Sequence, residues 1–148
     1  MNLEKTSAPA PQVRHIRPIV VASIKNPDGR YFMVQFTDRI KNRKFYRMSG
    51  GGIEFGEEAA EALKREFLEE YGLDIIVGDR LDVKENIFTY GESIGHEVVF
   101  IYDAAFSDKS VYSADKIPNI EDEQHKDEFG LWVDISKMNR ERMIYYEK

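Results

Sequence analysis

Glu66, Glu69 and Glu70 stand at i, i+3 and i+4, the spacing at which helical side chains project from one face. Like-charged pairs so placed cost an isolated helix ~0.2–0.5 kcal/mol each. These three also sit near the C-terminal end of their segment, where the helix macrodipole disfavours anions. Arg65 lies beside them, one turn from Glu61 and from Glu69. Its forked guanidinium can orient a carboxylate, but one charge cannot neutralise three. A divalent metal can, because clustered carboxylate oxygens suit hard ions and Mg2+ in particular combines a few carboxylates with water and substrate phosphates. The plain alternative is a solvated acidic face that holds no ion.

The element that must carry these acids is a helix from about Glu57 to Tyr71, ended by Gly72, the residue type that most readily takes the left-handed position after a helix. Ala60, Leu63, Phe67 and Tyr71 form the stripe expected to bury against a sheet. The acids occupy a neighbouring arc shared only with Ala59 and Ala62, which leaves that face open. Just upstream, Ser49-Gly50-Gly51-Gly52 reads as a flexible hinge where backbone can approach a ligand closely.

Strand-like stretches surround this helix. Residues 16–25 and 31–36 flank the turn Asn26-Pro27-Asp28-Gly29 and read as a hairpin. Further strands are expected at 45–48, 74–77, 81–90, 96–106 and 129–133, with a polar loop over 107–128. A C-terminal helix bearing Met138, Met143 and Ile144 is expected after Asp134. Strands on both sides of a central helix predict an α/β fold with a mixed sheet between helices. Residues 1–14 read as a poorly ordered tail and 15–148 as one domain.

The 148 residues carry 21 Lys plus Arg against 27 Asp plus Glu, a formal charge of −6. That balance argues against a partner held by neutralising a long nucleic-acid backbone. With no cysteine, disulfides, thiolate zinc sites and a cysteine nucleophile are excluded. No apolar run approaches the ~20 residues that span a bilayer, so no membrane role and a cytoplasmic location are expected.

Gly51, Glu57, Arg65-Glu66-Phe67, Glu69-Glu70 and Gly72-Leu73 fit G-x5-E-x7-R-E-U-x-E-E-x-G-U, with U a bulky apolar residue. This resembles the Nudix box with every fixed position filled. Phe67 replaces the usual branched aliphatic, and Ser49 stands where many relatives carry proline. The resemblance implies an α/β/α sandwich and hydrolysis of a nucleoside diphosphate linked to another group, with Mg2+ or Mn2+, by water attacking phosphorus. It implies Glu66 and Glu70 as principal metal ligands, Glu69 as a further or water-mediated contact, and the Gly51 carbonyl as another ligand. Arg65 would serve the reaction by pairing with a carboxylate, and Glu57 and Gly72 would support the box structurally. It also implies a homodimer as an expected assembly.

Outside the box, Glu97 shares a strand face with Val99 and Ile101. It is either a further metal ligand or a strand-end acid reaching solvent. Among Glu121, Glu123 and Glu128, Glu123 is selected as the candidate base or ligand, against a solvated loop. Arg47 could meet substrate phosphate, whereas Trp132 is assigned to the core. Tyr90, seventeen residues beyond Leu73, resembles a tyrosine of dinucleoside polyphosphate hydrolases, and the proline of an ADP-ribose marker is missing near Asn86–Phe88. Nucleoside triphosphates and dinucleoside polyphosphates are preferred over nucleotide sugars. The alternative is a catalytically silent nucleotide-sensing module that regulates a partner.

Overall fold

The computed structural model describes residues 14–38, 40–121, 123–125 and 127–144, without the side chains of Tyr90 and His125. The expected tail therefore lies, but for Arg14, outside the described residues. Ile19–Ser23 are buried without alternation, the mark of a strand covered on both faces. This is β1 (Arg17–Ser23), which runs antiparallel to β4 (Gly50–Gly52) on one side and parallel to β6 (Ser93–Phe106) on the other. β5 (Ile75–Tyr90) completes a four-stranded sheet of order β4-β1-β6-β5. A five-stranded sheet has the order β7-β8-β2-β3-β9, from β2 (Tyr31–Asp38), β3 (Arg43–Arg47), β7 (Ile117–Pro118), β8 (Phe129–Val133) and β9 (Met143–Ile144). The mixed α/β architecture thus stands. α1 (Ala59–Tyr71) is the one α-helix among the described residues, and none is long and apolar enough to cross a membrane.

Three local expectations are corrected. The hairpin over 16–36 divides between the two sheets, because β4 and β6 take both edges of β1. The arms meet near the turn, through the Lys25–Tyr31 bridge, the Phe32 N–H donating to the Ile24 carbonyl (2.9 Å) and the Asn26 N–H donating to the Arg30 carbonyl (2.8 Å). The glycine hinge is a strand, held at its entry by the Ala22 N–H donating to the Ser49 carbonyl at 2.9 Å. The C-terminal helix is replaced by 3-10 turns at Ile135–Lys137 and Arg140–Arg142 followed by β9. There Asp134 accepts from Ser136 N–H (3.1 Å) and Asn139 from Glu141 N–H (3.0 Å). Such side-chain bonds to nearby backbone restart the chain every few residues and compete with a continuous helix. β9 then pairs in parallel with the edge of β3, at Tyr46 and Arg47.

The core beneath α1 is aromatic. Phe32 packs edge-on against Tyr71, Phe106 and Trp132 with centroids 5.0–5.6 Å apart, and Phe67 lies 6.0 Å away. Trp132, expected in the core, is half-buried and packs against it, its indole N–H donating to the Val111 carbonyl at 3.2 Å. A second cluster, including Ile19, Val21, Met33, Val99 and Ile101, occupies the alternate residues of the same strands. β1 therefore presents Val20 and Ala22 towards α1, and Ile19 and Val21 away from it.

Candidate active site

α1 starts after Glu58, which has extended backbone angles, and ends at Gly72 with φ 67°. The Gly72 N–H donates to Leu68 and the Leu73 N–H to Phe67, at 2.9 and 3.5 Å. This closure needs a residue at ease with positive φ. Leu63, Phe67 and Tyr71 are buried as the stripe predicts, but so are Ala62 and Glu70. Ala62 belongs to the core and Ala59 packs against it. The face shared with the acids is therefore not left open by small residues; it is the rim where the helix meets β4.

At that rim, Glu66 lies directly against Gly51. A Cβ built on Gly51 would overlap the Glu66 carboxylate. The Ser49 carbonyl and the Ile53 N–H both bond to β1, so period two turns the Gly51 backbone toward β1 as well. The Gly52 carbonyl faces out and accepts from Arg65 at 3.0 Å. The resemblance implies that Gly51 contributes its carbonyl. What the structure shows is the missing side chain, which lets a carboxylate reach the strand.

The Glu66 and Glu70 carboxyls lie close enough to act on each other, and each is pushed up from the ordinary carboxylate range. Burial drives the Glu70 carboxyl up to about 9, helped by the charge and hydrogen bond of Glu66; Arg47 opposes this and Glu121 adds to it. Burial also raises Glu66, against the pull of its bonds to Glu70 and Arg65.

Arg65 serves a different set. Its Nε and Nη2 grip Glu57 at 2.8 and 2.9 Å, and its Nη1 reaches Glu66 at 3.1 Å and Glu69 at 3.2 Å. With the Gly52 carbonyl, all three guanidinium nitrogens are engaged inside the protein. The Arg65 fork holds Glu57 down at about 2, aided by the Glu54 backbone. Glu57 in turn raises the Arg65 guanidinium further above its ordinary range.

Of the three expected metal-binding acids, two converge and Glu69 is drawn to Arg65. Among the described residues no group of three or more His, Cys, Asp or Glu is arranged to hold a metal ion. The donors present still fit a hard divalent cation. Buried Glu70 and half-buried Glu66 bring two carboxylates together with little positive charge to offset them, and carboxylate oxygens are the donors such an ion takes.

The remaining expectations separate. Arg47 sits opposite Val34, on the side of its sheet that faces α1, where its charge pulls the Glu70 carboxyl down, and it pairs with Glu128 at 3.6 Å. Glu123 is exposed in a 3-10 turn. Glu97 neither reaches solvent nor joins the acids. It is buried on the sheet face away from α1 and paired with Arg17 at 3.2 Å. The backbone of Tyr90 ends β5 opposite Ser93, and its side chain lies outside the described residues.

Sequence reasoning left Glu128 undistinguished in its loop. The signal that finds it is register: Phe129 pairs with Gln35 and Arg47 with Val34. One step back from Phe129, Glu128 shares the face of Arg47. Also unremarked was a buried 2.6 Å bond between the hydroxyls of Ser49 and Tyr71.

A family model of the NUDIX domain matches residues 15–146. Nucleoside triphosphatase NudI of Salmonella paratyphi B is 38% identical over 96 residues, covering 58% of this chain and 64% of the relative; the Salmonella arizonae protein is 36% identical over the same extent. The chain thus spans less than two thirds of the length of these relatives. Two solved structures share the fold. They are a MutT protein of Methanosarcina mazei Go1 (TM-score 0.60, 18% identity, 92% of this chain and 90% of that one) and a MutT NUDIX hydrolase of Burkholderia pseudomallei (0.61, 20%, 86% and 89%). With that match over nearly its whole length, laid on the glycine strand and acid-bearing helix just described, the chain belongs to the Nudix family.

Proposed function

We propose that this protein hydrolyses a phosphoanhydride bond of a small nucleotide with Mg2+ or Mn2+ bound, and that nucleoside triphosphates are the leading substrate class. The observation that carries the reading is half-buried Glu66 against Gly51 beside buried Glu70, an oxygen site short of positive charge. The names of the NudI relatives support the choice of triphosphates over dinucleoside polyphosphates and nucleotide sugars.

Glu66 and Glu70 would hold the cation, with Glu69 contributing directly or through water. When bound, the ion offsets the charge of the phosphoanhydride oxygens and acidifies a nearby water. Arg65 is a positioning residue: its bonds to Glu57 and the Gly52 carbonyl fix the loop to the helix, and its Nη1 aims Glu66. Arg47, exposed enough to meet solvent and on the side of its sheet that faces α1, would contact a phosphate oxygen. Water attacks phosphorus in line with the anhydride oxygen, which leaves as that P–O bond breaks. Glu128, beside Arg47, takes the proton of the attacking water, a role for which Glu123 was the first expectation. The acidic balance and lack of cysteine fit a cytoplasmic setting.

The test is a Mn2+ titration followed by electron paramagnetic resonance, with product release measured across the three nucleotide classes. Metal-dependent release of phosphate or nucleoside monophosphate is expected. Metal binding with no turnover would replace the hydrolase by a nucleotide-sensing module. No metal binding would return the helix to a solvated acidic face.

A further inference from the structure

The Glu66–Glu70 pair sits between two ties that join α1 to the glycine strand. Arg65 supplies one, at the exit of β4, through the Gly52 carbonyl. The other lies at the entry. Ser49 is 1% exposed, and its hydroxyl meets the Tyr71 hydroxyl at 2.6 Å. Each end of this second tie is anchored. The Ser49 carbonyl accepts from Ala22 N–H, which fixes Ser49 to the end of β1. The Tyr71 ring is held between Phe32 and Phe67, with centroids 5.6 and 5.4 Å away. Ser49 immediately precedes Gly50 and Gly51, and Tyr71 immediately follows Glu70. A shift of either hydroxyl therefore moves one wall of the acid site relative to the other.

We infer that the Ser49–Tyr71 hydrogen bond is a positioning device that sets the separation of the Glu66–Glu70 carboxyls from the glycine strand, and with it the affinity and catalytic use of the bound cation. Two buried hydroxyls suit this task. Core packing alone tolerates small displacements at little cost, whereas a hydrogen bond weakens steeply with distance and angle and leaves a buried polar atom unsatisfied when broken. The inference rests on the metal-dependent reading above.

The test uses the full chain with Tyr71→Phe, Ser49→Ala and the double variant. Tyr71→Phe removes one oxygen and keeps the ring that packs the core, so its fold is expected to persist, as checked by circular dichroism. Mn2+ affinity and kcat are each expected to fall about tenfold, the lower end of what loss of an outer-shell partner costs. KM for the nucleoside triphosphate should stay within about twofold. The double variant should lose no more than either single one, because both remove the same bond. Single variants that melt earlier but keep wild-type Mn2+ affinity and kcat would show a purely structural bond and overturn the inference. Losses that multiply in the double variant would overturn it too. Wild-type protein that binds no Mn2+ would sink the functional reading and this inference with it; wild-type binding with indifferent variants would sink this inference alone.

Discussion

Two acidic groupings meet at the rim of α1, one joining Glu57 ahead of the helix to Arg65 and Glu69 on it, the other formed by Glu66 and Glu70, and they behave in opposite ways. Around Arg65, Glu57 is gripped by two charge-assisted bonds and held at about 2, with Glu69 taking a third contact. Around Gly51, Glu66 is half-buried and Glu70 buried, with the edge of that guanidinium and the charge of Arg47 opposing the rise, and Glu70 still climbs to about 9. Both groupings are made of the same side chain. What differs is the supply of positive charge at a buried place. The first set is complete as folded and fastens the loop to the helix. The second, on the function proposed above, is completed by a bound cation.

The largest effect that would break this contrast is loss of a carboxylate from the second set. Glu70→Gln is expected to lower kcat about 100-fold or more, as loss of a charge-stabilising group in a site typically does. The same change should raise the melting temperature of the metal-free protein, since it relieves a buried, poorly compensated acid. Steady-state kinetics and thermal melts in chelator read both; near-normal turnover would remove Glu70 from the ligand set.

Gly51→Ala comes next. Its Cβ cannot coexist with the Glu66 carboxylate where it stands, so Mn2+ affinity should drop about 10- to 100-fold by displacement of a ligand. Retained affinity in a paramagnetic titration would mean that Glu66 does not bind from this position.

Arg65→Ala attacks the first set. It should reduce activity about tenfold through misplaced Glu66 and a loosened 52–57 loop. Unlike Glu70→Gln, it should lower the metal-free melting temperature. Equal signs for the two variants would erase the distinction between the groupings.

The smallest expected effect, and the sharpest in sign, is in pH. Glu70 is raised above its unfolded value of ~4.3, so its protonated form favours the fold. That contribution is whole below pH ~4.3 and is lost as pH climbs through about 9. Glu57 is depressed, so its contribution is whole above pH ~4.3 and is lost as pH falls through about 2. In metal-free melts, the advantage of Glu70→Gln over wild type should therefore widen from pH 4 to pH 9, and the penalty of Glu57→Gln should shrink from pH 5 to pH 2. Saturating Mg2+ should cancel the first trend and spare the second.

The helix with its Gly72 stop, the acids on one rim, the glycines ahead of them and Arg65 as an orienting group were all legible in the linear order. They depend on short-range geometry, where the spacing of residues along one helix decides which side chains meet. The division of the 16–36 hairpin was not legible. It turns on which distant strands claim the edges of β1, and β6 arrives some eighty residues later. Alternating polarity looked the same for Glu97 and for a site residue, and only the packing of α1 on the other face of the sheet told them apart. The three glutamates were legible as a cluster, but their partition into a tied acid and a charge-starved pair was not. That partition depends on how deeply the rim is buried against β4 and where a single guanidinium can reach, and both are properties of packed distance rather than of order along the chain.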